Sequence, residues 1–136
     1  MASRVLAPFC LLLAFAGTPS YAVESVKPPP ASVAGGAAPY DGELQRLSEI
    51  LGTLHYLRGL CGAQDADRWR DQVQALLDAE TAPGERRARI VASFNRGYRN
   101  FQQTYRTCTP AADFAIRRYL EEGAKISREI TARYAN

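Results

Sequence analysis

The chain has 136 residues, 46% of them hydrophobic, with 17 Lys and Arg against 14 Asp and Glu for a formal net charge of +3. That size suits one small globular domain. The composition excludes collagen, mucin and wholly disordered chains, and the charge is too slight to mark a dedicated nucleic-acid binder.

The first 22 residues, MASRVLAPFCLLLAFAGTPSYA, combine an early Arg4, an apolar run from Val5 to Gly17, and the small residues Ser20 and Ala22. This is the pattern of a secretory signal peptide cleaved after Ala22. The apolar run falls short of the roughly 18 to 20 residues that a membrane span requires. Phe9 is too bulky beside Cys10 for a lipoprotein signal, so cleavage without a lipid anchor is expected; the alternative is an uncleaved N-terminal anchor. Residues 23–40 contain Pro28-Pro29-Pro30, Gly35-Gly36 and Pro39 among small residues. They read as a Pro/Gly/Ala-rich spacer, disordered because it has little apolar surface to bury, or alternatively as a proline-rich docking peptide.

From Asp41 onward apolar residues recur every three or four positions, and no stretch alternates with period two, so residues 41–136 are expected to form an all-α domain. Helix 1 starts with Asp41 as its N-cap and turns Leu44, Leu47, Ile50, Leu51, Leu54 and Leu57 inward. It stops at Cys61-Gly62, where glycine can take the left-handed conformation. Helix 2, the shortest, opens after Asp65, places Trp69, Val73, Leu76 and Leu77 on one side, and ends before Thr81-Ala82-Pro83-Gly84. Helix 3 carries Val91, Phe94, Tyr98, Phe101, Tyr105 and Cys108 at spacings of three and four, a bundle seam. Helix 4 has Thr109 as N-cap and Pro110 in the first turn, followed by a stripe of Ala112, Ile116, Tyr119, Gly123, Ile126 and Ile130. Short links favour an antiparallel, up-down-up-down four-helix bundle.

Cys61 and Cys108 remain after cleavage, and an oxidising compartment makes their pairing the default. In an alternating bundle both lie at the same pole, and the loop their disulfide closes would add about 4 kcal/mol through unfolded-state entropy. The redox-active alternative lacks a C-x-x-C spacing.

His55 is the only histidine, with no acid at i+3 or i+4, so it forms neither a zinc site nor a triad and reads as a boundary residue. No nucleotide-binding glycine motif, serine-hydrolase elbow or zincin spacing occurs, and neither metal nor cofactor is expected. Paired carboxylates, Glu121-Glu122 and Asp65-x-Asp67, are the remaining enzymatic route. Both suit solvated faces and helix starts, and Glu121 precedes Lys125 by four residues, the favourable orientation for an ion pair.

One surface feature stands out. Between Glu85 and Cys108 six arginines accompany one acid, and Arg89, Arg96, Arg99 and Arg106 recur at spacings of 7, 3 and 7, extended by Asn100 and Gln103. At 100° per residue this set lies about 200° from the aromatic seam and points outward. Asp67, Asp71 and Asp78 lie on the outer face of helix 2. The arginine stripe is either a solvated face or a contact for carboxylate or phosphate, which the planar guanidinium grips in bidentate fashion. Gly97 costs about 1 kcal/mol against alanine in a helix, which close approach of another backbone, or a bend, would explain.

The segments Arg46 to Gly62 (RLSEILGTLHYLRGLCG), Phe94 to Arg99 (FNRGYR) and Tyr105 to Thr109 (YRTCT) resemble an uncharacterised family of exported alphaproteobacterial proteins. The resemblance runs from about Tyr40 to Tyr134 and includes both cysteines, Trp69-Arg70 and Ala79-Glu80. It implies a Gram-negative periplasmic home and supplies no catalytic residues. The expected function is a periplasmic binding or adaptor module of the cell envelope that contacts an acidic protein or anionic envelope component through helix 3. Nucleic acid is not an expected partner in that compartment. A small envelope enzyme using helix-borne carboxylates, or an inhibitor or helper of another envelope enzyme, is the alternative.

Overall fold

The computed structural model describes residues 37–81 and 84–135. The expected signal peptide, its expected cleavage site and residues 23–36 of the expected spacer lie outside that range. The described residues form four helices and no strand: α1 (Asp41–Leu60), α2 (Ala66–Ala79), α3 (Gly84–Thr104) and α4 (Pro110–Tyr134).

Local chemistry accounts for most of the boundaries. Gly62 adopts φ +74°, its N–H donates to the Gly59 carbonyl at 3.1 Å, and the Ala63 N–H donates to Arg58 at 2.9 Å, which together satisfy the last carbonyls of α1. Thr109 caps α4 by accepting the Ala112 N–H at 3.2 Å, with Pro110 as the first helical residue. The start of α1 falls one residue earlier than expected. Tyr40 occupies the cap, and Asp41, already helical, uses one carboxylate oxygen to accept the Ala38 N–H and the other to bind Arg86. Asp65 likewise stands at the cap of α2 but gives its carboxylate to Arg58 instead of to the helix backbone.

α1 packs against each of the other three helices. Ile50, Leu54 and Leu57 meet Ala112, Ala115 and Ile116 of α4, while Leu51 meets Val73 and Leu77 of α2 and Ile90 of α3. Trp69 packs against both clusters, and its indole N–H is buried without an acceptor.

The face that α3 turns to α1 is rotated from the expected seam. Its buried residues are Ile90, Ser93 and Gly97, whereas Val91 is 38% exposed and Phe94, Tyr98 and Phe101 are half-buried flanks. Backbone proximity explains the rotation. A methyl at Gly97 would lie 2.9 Å from the Glu49 carbonyl carbon, and one at Gly52 would lie 2.8 Å from that of Phe94, each closer still to the oxygen. Glycines on both helices thus seat against the opposing backbone, and bulky residues are pushed to the edges. The polar groups trapped nearby are satisfied: the Ser48 hydroxyl donates to the Ile90 carbonyl at 2.8 Å, and that of Thr53 to the Glu49 carbonyl at 3.0 Å.

Two cross-links complete the domain. Cys61 and Cys108 form a disulfide with a Cα–Cα separation of 4.9 Å. Cys108 lies beyond α3, which ends at Thr104, so the expected helical placement of this cysteine is corrected. At the other end Arg86 donates to Asp41 at 2.6 Å and to Glu80 at 2.7 Å, with all three side chains less than a fifth exposed. Burial pulls the Arg86 pKa down, but bonds to Glu80 and Asp41 more than offset this and hold it above its ordinary value.

Candidate functional site

The four arginines of the basic stripe separate into two pairs. Arg89 reaches Glu85 at 3.5 Å, and Arg96 reaches Glu49 of α1 at 3.4 Å and the Ser93 hydroxyl at 3.2 Å. Arg89 thus pairs along its own helix, whereas Arg96 leans toward α1. Arg99, on α3, and Arg106, which lies two residues beyond the end of α3 at Thr104 and so off the helical stripe expected for it, are exposed and make no ion pair with any described residue.

Arg96 also ends a chain of charges that crosses the molecule. Arg46 binds Glu122 of α4 through two bonds of 2.7 and 3.0 Å and approaches Glu49 at 3.6 Å; Glu49 in turn meets Arg96. The guanidinium of Arg46 lies 5.6 Å from the centre of the Tyr119 ring, which Arg118 approaches at 6.0 Å. Tyr119 therefore lies within cation–π reach of both guanidinium groups.

Beside Tyr119, where the end of α3 faces the start of α4, is a cleft of about 380 Å³. Phe101, Tyr105, Phe114 and Tyr119 line it, with Ala111, Ala115 and Arg118. Phe101 and Tyr105 stack nearly parallel at 5.6 Å, and Tyr119 meets Phe101 edge-on at 5.3 Å. The Tyr56 hydroxyl donates to the Tyr105 carbonyl, fixing the backbone where α3 ends. Phe114 is 63% exposed. The cleft is not legible as a unit in the sequence. Its one signal was Phe114, an aromatic residue two positions off the α4 stripe and just before Arg117-Arg118.

The groups considered for catalysis are engaged elsewhere. The Arg46 hydrogen bonds hold the Glu122 carboxyl below its ordinary pKa, and those from Arg58 do the same for Asp65. Both shifts favour the anion, the opposite of what a general acid needs at neutral pH. Glu121 is exposed, and Lys125 pairs with Glu129 at 3.9 Å instead of with Glu121 as expected. Asp67 approaches Arg70 at 3.8 Å. His55 packs against the Phe94 and Tyr98 rings at 5.9 and 5.6 Å, with its Nδ1 2.8 Å from the Ala66 carbonyl. That oxygen can only accept, so Nδ1 carries the proton.

Asp113 places a carboxylate oxygen near both cysteine sulfurs, the three ligand atoms lying within 4.8 Å of one another. With the sulfurs bonded to each other, they offer no thiolate to a metal.

A family model described as a protein of unknown function (DUF2385) matches residues 39–134, and the chain belongs to that family. The match covers all four helices and both cysteines. No curated protein and no solved structure matches the chain.

Proposed function

We propose that the chain is an exported binding or adaptor module of the cell envelope, working in the periplasm and holding an anionic partner on the outer face of α3. The carrying observation is the state of Arg99 and Arg106. Arg46, Arg58 and Arg86 are consumed in bidentate or bifurcated pairs that link helices or brace loops, whereas Arg99 and Arg106 stand exposed and unpaired among the described residues. Guanidinium groups in that condition retain their full donor fork for an external carboxylate or phosphate.

Export is supported by the N-terminal pattern up to Ala22 and by the cysteine pair. No described helix is long and apolar enough to cross a membrane. The alternating order of the helices belongs to the same reading. Asp41–Arg86 and Tyr56–Tyr105 advance together along α1 and α3, whereas Glu43–Arg133 and the disulfide run in opposite senses along α1 and α4.

A photo-crosslinking residue at Gln103, on the arginine face, tests the proposal in the native periplasm. The wild-type chain is expected to capture a species that Arg99→Glu/Arg106→Glu does not, at equal abundance and equal Tm. Identical capture by both would return these arginines to a merely solvated face. Mass spectrometry of the same material should find a mature chain beginning at Val23.

A further inference from the structure

We propose that the cleft between the end of α3 and the start of α4 seats one large apolar side chain of an acidic protein segment, whose flanking carboxylates pair with Arg118 and Arg106. The proposal rests on the reading of α3 as an anion-binding face and specifies the partner's chemistry.

Three observations carry it. The first is the shape and stiffness of the cleft. Its volume of about 380 Å³ lies within the range of small ligand pockets, and its walls are held before any partner arrives. Phe101 is stacked on Tyr105 and met edge-on by Tyr119; Tyr105 is tied through its carbonyl to Tyr56; Tyr119 lies under the guanidinium of Arg46, itself fixed by Glu122. A side chain entering there loses freedom, but the receiving rings lose little.

The second is charge. Between Arg99 and Leu120 the cations are Arg99, Arg106, Arg117 and Arg118, and the sole acid is Asp113. None of those four arginines pairs with a described acid, Arg118 lines the cleft, and Arg106 follows Tyr105 directly in the chain. An apolar recess lined by the unpaired Arg118, with Arg106 next in the chain to its Tyr105 wall, is complementary to an apolar anchor set among carboxylates.

The third observation favours a protein over a lipid surface. Membrane adsorption needs a contiguous apolar face, yet the exposed large hydrophobic residues among those described are Val91, Phe114 and Tyr134, which lie on different parts of α3 and α4. Only Phe114 borders the cleft, so the exposed apolar surface there is one side chain at the edge of a recess and not a contiguous face.

The test uses the oxidised mature chain, immobilised, to select from a displayed library of random nine-residue peptides. Enriched peptides should carry an aromatic or large aliphatic residue with at least two Asp or Glu within four positions. As free synthetic peptides they should bind wild type at least tenfold more tightly than Phe114→Ala or Arg118→Glu, and within twofold of Arg128→Glu, a control outside the cleft. Tm measured on each variant separates lost binding from lost folding, and Arg118→Gln gives a second reading should Arg118→Glu unfold. Enrichment without acids or without an apolar anchor, affinity indifferent to Phe114 and Arg118, or binding confined to phosphatidylglycerol vesicles would each overturn the proposal. Periplasmic capture that needs Arg99 and Arg106 but not Phe114 removes the cleft and leaves the basic-face reading standing. Selected peptides that need Phe114 and Arg118, with capture unaffected by Arg99→Glu/Arg106→Glu, remove the basic-face reading and with it the premise of the proposal.

Discussion

α3 and α4 both pack on α1, but the two contacts are made from different material. Against α3 the centre of the approach is backbone to backbone, with Gly52 seated on the Phe94 carbonyl and Gly97 on that of Glu49, the small side chains of Ser48, Thr53 and Ser93 buried nearby, and Ile90 packed on Leu51 to one side. Against α4 it is made by long side chains: Ile50, Leu54 and Leu57 on Ala112, Ala115 and Ile116, bordered by Arg46–Glu122 and by Tyr119. A backbone contact has no rotamers with which to yield, whereas a side-chain contact can redistribute a small intrusion among many atoms. Where α3 and α4 face each other the contact is aromatic and leaves a cleft. The rigid seam thus holds one wall of the open cleft in place.

The largest expected effect breaks the rigid side. Gly97→Ala should destabilise the domain by about 3 kcal/mol, because the added methyl meets a main-chain carbonyl that moves only if the helices separate. For a domain of this size that is a fall in Tm of roughly 15 °C, and Gly52→Ala should behave alike. Helix propensity alone predicts the opposite sign, a gain of about 1 kcal/mol. Thermal melts of the two variants therefore decide whether this seam is closed by backbone.

The next effect concerns the pole where α1 ends and α4 begins. Cys108→Ser should cost about 2 to 4 kcal/mol, since the disulfide closes a loop with a sequence separation of 47. The protein taken from its own compartment should show no free thiol in a thiol-labelling assay. Two reactive thiols in that material would refute the structural role and leave the pole of the α4 contact held by side chains alone.

How much of this division is legible in the sequence depends on what each residue reveals alone. Thr109-Pro110 and Cys61-Gly62 mark helix boundaries by local chemistry, and the structure places them as expected. The rotation of α3 is not legible, because Ser93 and Gly97 carry no hydropathy signal while Phe94, Tyr98 and Phe101 carry a strong one. The aromatic periodicity traced the edge of the buried face instead of its centre. Gly97 did hint at a close backbone, but its counterpart Gly52 lies concealed within an apolar run. The division of the arginine stripe also depends on tertiary neighbours. Nothing along α3 reveals that Glu49 of α1 lies within reach of Arg96.

On the side-chain face, acid should act through Glu122. Its folded pKa is depressed, chiefly by the Arg46 hydrogen bonds, so the stability it adds is fully present above the unfolded carboxylate value and is lost as pH falls through the folded one. With an unfolded value of about 4.3, that loss sets in at about pH 5 and deepens as the pH falls further. Both partners are partly exposed, so Glu122→Gln should cost only about 0.5 to 1 kcal/mol at neutral pH. It should also flatten the acid limb of a Tm-against-pH curve. The flattening will be incomplete, because Asp65, held down by Arg58, contributes in the same direction. An unchanged acid limb would mean that Arg46–Glu122 orients Tyr119 without stabilising α4.

The smallest effect is the sharpest comparison, because it repeats the first substitution on the other interface. A methyl at Gly123 of α4 would meet the Ile50 side chain at 3.3 Å and that of Leu47 at 3.7 Å, with no backbone in the way. Ile50 is buried and β-branched, so it yields by a shift of the whole side chain and not by a rotamer change, a modest penalty. Against that penalty stands a gain of about 1 kcal/mol from replacing a mid-helix glycine with alanine. Gly123→Ala should therefore lie within about 0.5 kcal/mol of wild type, with the two contributions nearly cancelling. A loss as large as that of Gly97→Ala would show that α4 also sits too close to α1 to tolerate a methyl, and the distinction between the two interfaces would fall. A neutral result beside a damaging Gly97→Ala would place the domain's intolerance to added bulk in the α1–α3 backbone contact and not in the side-chain contact of α4.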